Sequence, residues 1–140
     1  MENLQKQRII DWRWVGVGFC LLVIYHLLPS ILISGFLVNG YLSLFGWMFI
    51  GIIILSFYFG YKSSGVTIIE PGIAAVLYSL LFIYSSKGML YKTMNWNASP
   101  LLFYLVFFGV SFVFATLSAW FGERLQALKK ENELKQSTPA

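Results

Sequence analysis

Charge is almost absent from the middle of this 140-residue chain. Residues 14–61 contain no Lys, Arg, Asp or Glu, and residues 93–122 contain none either. Between them lies a third apolar run, 72–86, introduced by Thr67-Ile68-Ile69-Glu70-Pro71-Gly72. Glu70 is the only acidic residue between the first run and the last. A helix needs about 20 apolar residues to cross roughly 30 Å of hydrocarbon, and the charge-free stretches divide into four segments of that size. The runs are continuously apolar, whereas strands of a membrane barrel alternate. A helix also satisfies its own backbone hydrogen bonds in lipid. The expected fold is therefore all-α: an integral membrane four-helix bundle.

The expected spans are about 14–37, 41–61, 71–91 and 100–121. Residues 1–13 form a cytoplasmic N-tail, and 122–140 a cytoplasmic C-tail that begins as a helical extension of the last span. Ser99 precedes Pro100 as a candidate N-cap, with Pro100 suited to the first helical turn. Pro29 is expected to kink the first helix by removing a backbone bond. Charged residues make up only 11% of the chain, against about 25% in soluble domains, so a soluble core is excluded as an expectation.

Orientation follows from the cations. Lys6, Arg8, Arg13, Lys62, Arg124, Lys129, Lys130 and Lys135 fall in the N-tail, second loop and C-tail, and only Lys87 and Lys92 fall on the other side. Excess Lys and Arg marks cytoplasmic loops, so both termini are expected in the cytoplasm. The net charge of +4 is spread over tails and loops. It reads as topology information and not as a nucleic-acid footprint.

Few residues offer chemistry. Glu70 is the sharpest candidate: an acidic residue at the bilayer centre is costly and usually has a role, but Glu70 stands before Pro71 at the expected start of the third helix rather than at the centre. It can act as N-cap of the third helix. Alternatively Thr67 is the N-cap, with Thr67 and Glu70 forming a capping box. A third reading has Glu70 lining a polar cavity for a proton, a cation or a basic side chain. His26 is the only histidine; it can relay protons or sit as a neutral, hydrogen-bonded imidazole. The single cysteine, Cys20, allows no internal disulfide and no redox pair, and is expected to be a small buried side chain. No metal site, cofactor or catalytic set is expected, and the chain reads as a non-enzyme.

Small residues recur at helical spacing. Gly72, Ala75 and Ser79 mark one face of the third helix, and Ser111, Ala115, Ser118, Ala119 and Gly122 one face of the fourth. Gly51, Ser56 and Gly60 do so on the second, and Gly16 and Cys20 on the first. Small faces let helices approach closely in lipid. They fit an internal bundle, a homo-oligomer or docking to a larger membrane protein equally well.

The stretch Gly60 to Ala75, with its glycine-ended second helix and Thr67-Ile68-Ile69-Glu70-Pro71-Gly72-Ile73-Ala74 segment, resembles one in small four-helix bacterial inner-membrane proteins. Ser64 stands where those have proline, and Gly72 where they have alanine. The resemblance implies a bacterial inner-membrane setting and no activity. Small multidrug transporters are also four-helix proteins, but they depend on a glutamate in the first helix, and none is present here. The leading expectation is an accessory or scaffold subunit of a membrane complex, with the bilayer and a membrane protein or a second copy as partners. The alternative is a small oligomeric transporter or ion-coupled carrier that uses Glu70 and His26.

Overall fold

The computed structural model of the chain describes residues 10–32, 40–62, 68–85 and 99–137. These form four α-helices and, among the described residues, no strand: α1 (Trp12–Leu32), α2 (Gly40–Lys62), α3 (Ile69–Ser85) and α4 (Pro100–Ser137). The chain is all-α with four helices, as expected. The expected loops near 38–40 and 93–99 fall largely outside the described residues, as do Thr67, Lys6, Arg8, Lys87 and Lys92.

Caps set two of the helix starts. At α1, the Asp11 carboxylate accepts the Arg13 N–H at 3.0 Å, and the Asp11 carbonyl accepts the Trp14 N–H at 3.0 Å. An aspartate in this position satisfies amides that the first turn leaves orphaned. The helix therefore starts at Trp12, inside the expected N-tail. At α4, the Ser99 hydroxyl accepts the Leu102 N–H at 3.3 Å, with Pro100 next in the chain. α1 continues through Pro29 to Leu32.

Ring and backbone contacts give the chain direction of each helix. Asp11 meets Glu70, and His26 meets Tyr78 and Phe82, so α1 and α3 run parallel. Trp14 meets Phe59 and Tyr25 stacks on Trp47, so α1 and α2 run antiparallel. Phe49 meets Phe107 and Phe57 meets Phe121, so α2 and α4 run parallel. The helices form an up-down-up-down square, with α1 against α2 and α3, and α4 against the same two.

The core is a stripe from each helix. On α4 it is Phe103, Phe107, Ser111, Ala115, Ala119 and Gly122, and its side chains shrink along the helix. Rings fill the space near Phe103 and Phe107, where Phe49 packs edge-on to Phe107 at 5.9 Å. At the other end the backbones of α2 and α4 touch. A Cβ on Gly60 would collide with the Ala119 carbonyl, and one on Gly122 with the Phe57 carbonyl. The small residues of α2, α3 and α4 thus face inward within one chain: Gly51, Ser56, Gly60, Gly72, Ala75, Ser79, Ser111, Ala115, Ala119 and Gly122 are all buried.

Two expectations for α1 fail. Its inward face is Val15, Gly18 and Leu22, and a helix turns 100° per residue, so Gly16 and Cys20 point away from the bundle. Cys20 is exposed rather than buried. Ser118 is also displaced from the core, half-buried in a groove on the outer surface of α2 and α4.

Among the described residues, only α4 carries a stretch, Pro100–Lys135, that is long and apolar enough by itself to cross a bilayer. The fully described parts of the others give shorter apolar helices: Trp12–Leu27, Gly46–Lys62 and Ile69–Ser85.

The glycine contact generates a mutational contrast. Gly60→Leu forces a side chain into the Ala119 backbone and is expected to destabilise the bundle by about 3 kcal/mol or more, the upper end for overpacking. Gly16→Leu meets open space and is expected to be neutral. Thermal unfolding of the detergent-purified proteins separates the two.

Candidate functional site

The one buried carboxylate in the described structure lies where two helix N-termini meet. Glu70 sits in the first turn of α3, 5% exposed, with Pro71 beside it. Its Oε1 accepts the backbone N–H of Asp11 at 3.1 Å. Asp11 is itself the cap of α1, so Glu70 extends that cap from a different helix. A carboxylate near a helix N-terminus is stabilised by the dipole, and here one carboxylate serves two such ends. The observed partner of the Glu70 carboxylate is on α1, and the capping-box reading falls on Thr67, outside the described residues. The sequence signal for the junction was Asp11 standing before Trp12, an N-cap residue at a helix start.

A second polar feature lies deep in the bundle. The Ser79 and Ser111 hydroxyls meet at 2.9 Å between α3 and α4, both fully buried. Ser79 also reaches the Ala75 carbonyl at 2.7 Å, and Ser111 the Phe107 carbonyl at 2.9 Å. Two hydroxyl protons serve three contacts, so the pair is satisfied within the helices. Bonds of this kind between membrane helices average about 0.6 kcal/mol.

His26 lies past the midpoint of α1, away from Glu70. Its ring is 5.9 Å from Tyr78 and 5.2 Å from Phe82, edge-on to both. These three line a cleft of about 130 Å³ between α1 and α3, with Val23, Leu27 and Ser85. The Tyr78 hydroxyl and the Trp47 indole N–H are buried without a hydrogen-bond partner among the described residues. Sequence reasoning missed both, since a tyrosine or tryptophan in an aromatic-rich run carries no signal of its own.

The structure does not bring Glu70 and His26 together. Asp11, which holds Glu70, and His26 are separated along α1 by about 22 Å at 1.5 Å per residue. Among the described residues, no group of three or more His, Cys, Asp or Glu side chains could hold a metal ion.

A groove lies on the outside of α2 and α4. It has a volume of about 570 Å³ and is walled by Ile53, Ile54, Phe57, Phe114, Leu117 and Phe121, with Ser118 and Trp120. Arg124 stands over one of these walls, its guanidinium 5.5 Å from the centre of the Trp120 ring. No family model matches the chain, and no curated protein or solved structure compared with it matches either.

Removal of the carboxylate tests the junction. Glu70→Ala leaves the Asp11 N–H without its partner and is expected to cost about 1 to 3 kcal/mol. Glu70→Gln keeps an acceptor and is expected to cost clearly less. The difference is read from thermal or denaturant unfolding of the two variants.

Proposed function

We propose that the chain is a multi-pass membrane protein whose four helices all span a bacterial inner membrane. We further propose that it serves as a non-enzymatic accessory or scaffold subunit of a membrane complex. The observation that carries the membrane reading is the partition of side chains. Small and hydroxyl-bearing residues line the helix seams beside core side chains such as Met48, Ile52 and Phe107, while Leu101, Leu105, Leu117, Phe121 and Ile54 stand outside, each more than half exposed. Soluble proteins rarely expose contiguous apolar surface of this kind. Only 22% of the most apolar window of α4 is buried inside the bundle, whereas an apolar helix in a soluble core is mostly enclosed. α1 and α2, at 21 and 23 residues, have the length of a span, and α3, at 17, is at the lower limit.

The accessory reading rests on the far end of α4. The helix runs on from Gly122 to Ser137, about 22 Å at 1.5 Å per residue. From Ala127 to Lys135 every side chain is exposed. Lys135 pairs with Glu131 at 2.7 Å and Lys129 with Glu133 at 3.9 Å, both four residues apart. Exposed pairs of this type contribute about 0.3 to 0.5 kcal/mol each, enough to favour the helix but not to give it a tertiary contact. Leu125, Leu128 and Leu134 stay uncovered. With the small-residue faces used inside the bundle, this helix is the handle left for a partner, and the excess of cations at its end favours a cytoplasmic side.

The carrier alternative draws less support. Glu70 is engaged as a cap at one end, and His26 lies about four helical turns away.

Purification of the tagged protein from its own membrane in mild detergent, followed by sizing and mass spectrometry, tests the proposal. A larger membrane protein is expected at a fixed stoichiometry. It should be lost when the chain is ended after Arg124, while the truncated bundle still purifies intact. A clean homo-oligomer without a partner would contradict the accessory role.

A further inference from the structure

We infer that the groove between α2 and α4 is a binding site for one anionic phospholipid, with acyl chain in the groove and phosphate on Arg124. The inference rests on the membrane reading above and is independent of the accessory role. The groove's volume of about 570 Å³ lies within the roughly 300–1,000 Å³ typical of ligand sites. Its walls from Phe114 to Phe121 cover about 10 Å of helix axis, a depth suited to the upper part of an acyl chain. Phe57, Leu117 and Phe121 give it an apolar lining.

Arg124 supplies the charge that selects the occupant. It follows Trp120 by one helical turn and stands over the indole ring, which is itself a wall of the groove. Stacking on an aromatic face orients a guanidinium while leaving its N–H groups free to bond. Lys129 and Lys135 are each paired with a glutamate, but among the described residues Arg124 has no carboxylate within ion-pair distance. An unpaired guanidinium over one wall of an apolar groove is complementary to a phosphate. A guanidinium binds phosphate oxygens through parallel N–H bonds, which a point charge cannot do.

The test uses the full chain in a neutral detergent, with phosphatidylglycerol and phosphatidylcholine of the same acyl chains as probes and native mass spectrometry as the readout. One phosphatidylglycerol is expected to be retained per chain, at least about fivefold over phosphatidylcholine. Arg124→Gln is expected to abolish that preference, whereas Lys135→Gln keeps it. Leu117→Trp, which fills the groove, is expected to lose both lipids while the protein still unfolds at its normal temperature. Equal retention of the two lipids by the wild type would overturn the inference, as would an Arg124→Gln protein that holds phosphatidylglycerol like the wild type. Failure of the membrane reading is distinct: the protein would then leave the membrane fraction on alkaline washing.

Discussion

Where α2 meets α4, Gly60 and Gly122 carry no side chain and Ala119 only a methyl, so the two backbones come into contact. Much of the rest of the bundle follows from that contact. In the proposed membrane setting, helices gain nothing by burying leucine against leucine, because the lipid is equally apolar, and close van der Waals packing holds them together instead. The core stripe of α4 shrinks from phenylalanine to glycine, so α2 and α4 are spaced by rings at one end and in backbone contact at the other. The same arrangement recurs at lower stringency elsewhere. Gly72 of α3 leaves room for Phe112 and Thr116, and Gly18 of α1 for Ala74. Away from these seams large apolar side chains fill the core, among them Met48, Ile52, Phe82 and Phe107, and others such as Leu101 and Phe121 cover the outside.

The polar groups in the described bundle lie at distinct levels with distinct partners. Glu70 ties the N-terminus of α3 to that of α1, and the Ser79–Ser111 pair ties α3 to α4 halfway along. His26 lies among aromatic rings between α1 and α3, toward the other end. A buried charge without partners is costly, and at Glu70 that cost is offset by a backbone amide and by the positive ends of two helices. The carboxylate therefore acts first as a fold element. Its place beside the end of α2 and the start of the α4 extension puts it at the end of the bundle that also carries Lys62 and Arg124.

Much of this was legible in the sequence, and the exceptions have physical causes. The limits of α2 and the start of α4 follow from where charge stops, and from Ser99 and Pro100. The starts of α1 and α3 fell two residues earlier than hydropathy placed them, because caps and first turns tolerate polar residues that a hydropathy reading assigns to tails. α4 runs on past Gly122 to Ser137, further into the expected C-tail than the apolar pattern indicates, because its i,i+4 ion pairs favour helix where apolar content gives no signal. Spacing identified the small faces of α2, α3 and α4 but could not say whether they met within one chain. On α1 it chose Gly16 and Cys20 rather than Val15, Gly18 and Leu22, since a face of valine and leucine looks the same whether it meets lipid or protein. Glu70 stood out from the sequence, yet its partner Asp11 lies 59 positions away, and no local pattern could have joined them.

The central claim is that all four helices cross the bilayer, with the ends at Asp11, Lys62, Glu70 and Gly122 on the cytoplasmic side. The most direct test is site-directed labelling in intact cells with a membrane-impermeant maleimide, after Cys20→Ala removes the native thiol. Single cysteines at Lys62, Ser99 and Lys129 report the two ends of the bundle. The account predicts labelling of the Ser99 site from outside, and of the Lys62 and Lys129 sites only after the membrane is opened. Labelling of all three from the same side in intact cells would contradict it.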